Sequence, residues 1–472
     1  MKKVKLKYQL LFSVILISQG NYGQMDSLSI KFETGAVAGQ GENLPFWLQT
    51  NRFGILDNDL SQAYGRLSLT GPFDPERNIS LSYGLTLAGQ ISDNSDLYPE
   101  EYFAALKFHF LVLEAGARKK YFRDYPHEIG SGDMIWSGNS RPIPEISLST
   151  FNFVDVPFTS GWLLFDAGLS HGWMDDFPGV EDVLLHHKWF SLKTGDQYPL
   201  QLTMGLQHFA QWGGYSSYYG EMPVSFEAYW KVLIASGGIS DSPDNEQINA
   251  IGNHIGSYQI ALDYDFSEQT VGLNWQHIFE DNSGRRLKNF PDGLYSLWFK
   301  SEDDEDFISQ AVIEFIATDN QSGRRRSDTT INTPPPTGDD DYFRNYIYLM
   351  GWTQDLRTIG TPFITSPVFH SDEDDPDRVI NNRVRAMHIG FGGNLGFMKY
   401  KILYSHTINK GRYRIEFNPA AIDNMLLVNL NKEDLFIDNS IIHFEFGFDR
   451  GDFYGNNIAF MLRWVQKWGI KR

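Results

Sequence analysis

Few residues in this chain are arranged for chemistry. Twelve histidines are scattered along 472 residues, and His186 with His187 is the only adjacent pair. No G-x-S-x-G, H-E-x-x-H or P-loop occurs, so nucleophile, zinc and phosphate-cradle chemistry have no local signature. His208, His254, His388, His406 and His443 fall in or beside alternating segments, where lumen-facing imidazoles are expected. The acidic runs EDDED (302–306), GDDD (338–341) and SDEDDPD (371–377) contribute much of a formal charge of -19. None fits a calcium loop with a distal Glu, so they read as solvated surface loops, and neither metal nor cofactor is expected. Nucleic acid is not expected to bind so acidic a chain. The stretch GDMIWSGNSRPIPEISLST (132–150) is different, because it sets Asn139 and Arg141 beside Pro142 and Pro144. Active-site loop, ligand contact and backbone bend are all open for it.

The elements that position these residues are strands. Past residue 24, apolar side chains rarely recur at i, i+3, i+4 and i+7; they recur at period two. In ISLSYGLTLAGQI, Ile79, Leu81, Tyr83, Leu85, Leu87 and Ile91 share one parity, against Ser80, Ser82, Thr86 and Gln90. QIALDYDF and MKYKILYSHTI split in the same way, as do Ile442, Phe444, Phe446 and Phe448 against His443, Glu445, Gly447 and Asp449. Around the 132–150 stretch, Ile135, Ile143, Ile146 and Leu148 continue the pattern, while the two prolines remove donors that a central ladder needs. An inward bend is expected there.

A soluble sandwich also alternates. Three features favour a barrel in lipid. The strands run to roughly 9 to 13 residues, which suits a tilted crossing of a bilayer. Phe, Tyr and Trp make up 15% of the chain and gather at strand ends, as interface girdles do, while the other face carries charge. Finally, Lys2, Lys3, Lys5 and Lys7 precede an apolar run at 10–17 and the stretch SQGNYGQ, which is the pattern of a secretory signal. Residues 1–23 are therefore expected to be removed, leaving 24–472 as a single domain. No cysteine is present, which excludes a lipoprotein anchor and a disulfide framework. The fold class is all-β: a transmembrane antiparallel barrel of about 18 strands by length, with sixteen or twenty fitting nearly as well. Short connections such as GPFDPERN suit the periplasmic side; long polar ones, including DNSGRRLKNFPDG, suit the cell surface.

SGNSRPIPEISL, after GSGDM and before VDVPFTSG, resembles the SGNARPIP region of the Wzi-type capsule assembly proteins of Gram-negative outer membranes. QHFAQWGG, INAIGNHIGSYQI, LKNFPDGLYSLWF, YLMGWTQDLRTIGTPF and NNRVRAMHIGFGG are similar to further segments of that family, in order along most of the chain. The sequence departs at Ser140, where the family more often has Ala; its last residues, WVQKWGIKR, also lack the terminal Phe that many barrels carry.

The resemblance implies an 18-stranded barrel with its lumen occluded by folded loops, acting as a lectin for capsular or exopolysaccharide. On that reading, Trp136, Asn139 and Arg141 belong to the family motif that lines the lumen or plug. Sugar stacking and hydroxyl recognition would fall to Trp352 with Gln354 and Asp355, to Arg285 and Arg286 with Asp292, and to Asn253 with His254. Plainer roles stand beside each: a packing aromatic for Trp352, contacts with acidic loops or lipopolysaccharide phosphate for the two arginines, and a turn for the GNHIG stretch. For Arg141 the plainer role is a lumen ion pair with a loop carboxylate. The implied partners are the polysaccharide, outer-membrane lipid and lipopolysaccharide, and the capsule export machinery, with the barrel a monomer. A diffusion channel for oligosaccharides and a barrel hydrolase are the competing functions.

Overall fold

The computed structural model describes residues 27–93, 95–123, 125–236, 251–322, 340–370, 379–413 and 415–471. The expected signal segment and the acidic run 371–377 lie outside them. Eighteen strands form the wall: β1 (Ser27–Gln40), β2 (Ser61–Gly71), β3 (Ile79–Ile91), β4 (Asp96–Phe108), β5 (Leu111–Ala117), β6 (Pro144–Thr150), β7 (Leu163–Trp173), β8 (Leu184–Thr194), β9 (Leu200–Trp212), β10 (Asn253–Asp265), β11 (Gln269–Phe279), β12 (Gly293–Ser301), β13 (Gln310–Ala317), β14 (Val384–Asn394), β15 (Lys399–Gly411), β16 (Glu416–Glu433), β17 (Ser440–Gly451) and β18 (Asn457–Lys471). Each pairs antiparallel with the next. The ring closes where β18 meets β1, from Ser27↔Lys471 to Gln40↔Ile458. Closure leaves no open sheet edge, which is the condition for extended chain to cross lipid.

The alternation read from the sequence sorts side chains between the two faces. On β3, Ile79, Leu85, Leu87 and Ile91 are exposed on the outside, whereas Ser80, Ser82, Thr86, Ala88 and Gln90 are buried toward the lumen. Leu200, Leu202, Met204 and Leu206 on β9, and Phe460 and Leu462 on β18, extend the same outward apolar belt. Inside, charges pair: Arg66 contacts Glu33 and Glu100, and Arg463 lies 3.1 Å from Glu445. An ionised group on a wall this dry requires a partner.

Chain termini and short turns, such as 72–78 and 395–398, share one end of the barrel. The long connections 41–60, 118–143, 213–252, 280–292 and 318–383 all emerge at the other, which is the cell-surface end of an outer-membrane barrel. EDDED sits in the short turn between β12 and β13, so one acidic run is far from the loop face.

Three of the long connections turn inward. Trp47 on the short helix α1 (Phe46–Gln49) donates from Nε1 to Ser405 on β15 at 3.2 Å. Met134 N–H donates to Gln276 Oε1 on β11 at 2.7 Å, and Gln211 Nε2 on β9 donates to Gly351 O at 2.9 Å. The described parts of loops 41–60, 118–143 and 318–383 thus fill the lumen as a plug whose aromatic core includes Phe46, Phe343, Trp352 and Phe363. Gly390 on β14 is what lets the plug approach the wall, because a Cβ there would lie 1.9 Å from Ile129 O.

The strand pattern suggested for 135–148 holds only from Pro144, which opens β6 opposite Ala117. Ile135 and Ile143 are instead buried plug residues. Pro142 and Pro144 mark that change from plug to wall. The lumen-facing assignment is right for His388 and His443. His208, His254 and His406 share the outward parity of Leu206, Ile260 and Ile402, and face out of the barrel.

Candidate functional site

The motif that drew attention first is a structural hub. Asn139 is fully buried, and its Nδ2 donates to Thr358 O at 3.1 Å, Thr358 Oγ1 at 3.0 Å and Ser366 Oγ at 3.1 Å. Its Oδ1 accepts from Asn51 N–H at 3.3 Å, so one amide joins all three plug loops. Trp136 is buried and stacks on Phe209 at 5.3 Å between centroids. Arg141 lies with Nε 2.7 Å from Asp355, its guanidinium 3.6 Å above the Tyr98 ring, which supplies the ion pair expected with a loop carboxylate. Burial pushes Asp355 up to about 6, against the opposing pull of Arg141 and Arg357.

The proposed sugar contacts fare unevenly. Trp352 is 0% exposed, donates from Nε1 to Ile135 O at 2.8 Å and packs against Phe209. It is a plug aromatic with no open face for a sugar ring. Gln354 is buried beside it, accepting from Asp175 N–H at 3.2 Å. Asp292 is also buried, and does not meet the arginines; it accepts from Gln321 N–H at 2.7 Å and from the Tyr342 hydroxyl at 3.1 Å. Asn253 is buried and donates to Gln211 at 2.7 Å, while His254 contacts His208 at 2.9 Å and Ile251 O at 2.9 Å on the outer wall. Asp292 and Gln354 thus tie loop to loop, while Asn253 and His254 bond across neighbouring wall strands. Arg285 and Arg286 alone are well exposed, at the last position of the four-residue helix Asn282–Arg285 and at its C-cap.

Serine and histidine on neighbouring strands do meet, on β14 and β15. His388 Nδ1 lies 2.8 Å from Ser405 Oγ, and its Nε2 lies 2.8 Å from Ile129 O. Both side chains are fully buried beneath the plug, and the hydroxyl already receives the Trp47 N–H. The pair fastens plug to wall and has no substrate access.

Tyrosine and carboxylate side chains are exposed together at the loop end. A small sheet joins Val180–Glu181, Tyr215–Ser216 and Gly220–Glu221, and its register sets Tyr215 between Glu181 and Glu221. All three side chains are exposed. Tyr218 is 70% exposed, and Tyr219 meets Tyr346 edge-on at 5.8 Å. The rings offer apolar faces and the carboxylates accept hydroxyl protons, which is the chemistry of a sugar edge. Sequence reasoning passed over these residues, although three tyrosines within five positions of GGYSSYYGEM were a visible signal.

A family profile described as capsule assembly protein Wzi matches residues 47–363, more than half of the chain. The chain belongs to the Wzi family. Among solved structures, it is similar to Wzi of Escherichia coli, described as an outer membrane protein involved in group 1 capsule assembly and a carbohydrate-binding β-barrel. That likeness has a TM-score of 0.59 at 12% identity, covering 99% of this chain and 89% of the other. It is also similar to OccK5 (OpdH) of Pseudomonas aeruginosa, with a TM-score of 0.50 at 11% identity, covering 94% and 98%. At these identities both likenesses concern the fold. No curated protein matches the chain in sequence. The Wzi match spans all of the hub loop 118–143 and most of the plug, together with strands β2 to β13 of the wall.

Proposed function

We propose that this Wzi-family chain is a non-enzymatic outer-membrane barrel that binds capsular or exopolysaccharide at its loop face and holds it on the cell. The observation that carries this reading is the plug: three loops fill the lumen with buried aromatic and hydrogen-bonded side chains, leaving recognition to the face above. Tyr215, Tyr218 and Tyr219, with Glu181 and Glu221, are the proposed contacts. Acting as a monomer beside the capsule export machinery completes the proposal. Family membership and the fold shared with the carbohydrate-binding E. coli barrel support it. Deleting the gene and measuring cell-bound against shed polysaccharide tests it. Glycan that is made but shed is the expected result; an unchanged cell-bound fraction overturns the attachment role.

A further inference from the structure

On the outer wall, β10 to β14 form an open groove of about 520 Å³ among side chains that include Ile260, Leu262, Trp275, Tyr295, Phe315 and Met387. It is continuous with the apolar belt, so lipid surrounds it.

At the cell-surface end of this groove, loop 280–292 folds down over the outside of the barrel. His277, two residues beyond Trp275 on the same face, lies 3.0 Å from Gly284 O and 3.1 Å from Asp292 O. The Tyr295 hydroxyl, part of the groove, donates to Pro291 O at 2.9 Å. Between these two fastenings run Arg285, Arg286, Leu287, Lys288 and Phe290, all exposed. Cations interleaved with exposed apolar side chains suit a boundary between headgroups and acyl chains rather than open water. Asp281, the exposed carboxylate of the loop, is engaged by Ser283 N–H at 2.7 Å and Gly284 N–H at 2.9 Å. Among the described residues, Arg285, Arg286 and Lys288 form no ion pair, and all three are exposed.

We infer that this groove and the cationic segment above it bind a phosphorylated, multiply acylated lipid of the outer leaflet. An acyl chain lies in the groove, and phosphate is held by Arg285, Arg286 and Lys288. The inference is independent of what the loop face binds.

The test uses folded full-length barrel in phosphatidylcholine nanodiscs with labelled diphosphoryl lipid A as probe. Wild type should retain lipid A in a salt-sensitive manner. Joint Arg285→Ala, Arg286→Ala and Lys288→Ala substitution should weaken retention at least about tenfold, as expected when two or more charge-assisted contacts are removed. Leu297→Trp, which fills the groove, should weaken lipid A binding while leaving the three cations in place. Heat-modifiable migration checks that each variant is folded. Equal retention by wild type and the triple variant overturns the proposal, as does full competition by inorganic phosphate, which would make this a simple anion site. Oxidative disulfide cross-linking of two barrels through Trp275→Cys in the same nanodisc would assign the groove to a second copy and likewise overturn it.

Discussion

Asn139 and Thr358, 219 residues apart in sequence, are joined by two hydrogen bonds, from Nδ2 to the carbonyl oxygen at 3.1 Å and to the hydroxyl at 3.0 Å. Both residues are fully buried, so removing the amide strands its partners without water to replace it. Asn139→Ala should cost about 1–3 kcal/mol in the anchoring of the plug. In planar bilayers, wild type should show no steady large conductance, and Asn139→Ala should show intermittent openings. A silent variant with unchanged protease resistance would contradict this.

Trp352 fastens loop 318–383 to plug loop 118–143 through the Ile135 carbonyl and to the lumen wall through the Phe209 ring. Trp352→Ala should cost about 3–5 kcal/mol locally, the usual range for emptying a buried aromatic site. Limited proteolysis should cut this loop faster in the variant, while the barrel itself keeps its heat-modifiable band. If polysaccharide binding vanished with the plug still protease-resistant, Trp352 would be a sugar contact after all.

At the loop face, Tyr218→Ala or Tyr219→Ala should weaken polysaccharide binding by about 0.5–1.5 kcal/mol, the worth of one stacked ring. Neither should alter protease resistance, because Tyr218 is mostly in solvent. Binding unaffected in the double variant would move the site off this sheet.

A pH response follows from Asp292 and Asp340. Burial pushes each up to about 6, with the charges of neighbouring carboxylates adding to the rise. In the unfolded chain they titrate near ~4. Raised carboxyls add stability that is fully present below ~4 and is lost as pH rises through about 6. Loop 280–292 and the segment near Asp340 should resist protease better at pH 5 than at pH 7, and Asp292→Asn should flatten that difference. A steeper slope in the variant would contradict the assignment.

The barrel was legible because its information is local. Ile79, Leu85 and Leu87 against Ser80, Ser82 and Thr86 state within one strand which face meets lipid, while the length of the chain only bracketed the number of strands between sixteen and twenty. The plug was legible only through family resemblance, since Trp352 meets Ile135 across 217 residues and nothing near either residue announces the contact. That is why Trp352, Gln354 and Asp292 resemble sugar ligands in sequence and are anchors in the fold. His208 and His254 show a second limit. Their parity was readable, but polar side chains on the lipid side are tolerated only because the helix Phe226–Ile234 covers that wall, packing Ala228 and Val232 against Ala210 and Trp212.

The most direct test of the account is equilibrium binding of the purified, detergent-folded barrel to surface polysaccharide extracted from the bacterium that produces it, measured by calorimetry. Saturable binding that falls in the Tyr218→Ala, Tyr219→Ala double variant and survives in Arg141→Lys is the predicted result. No binding by wild type, from a sample whose heat-modifiable band shows it folded, would contradict the claim that this plugged barrel holds glycan at the cell surface.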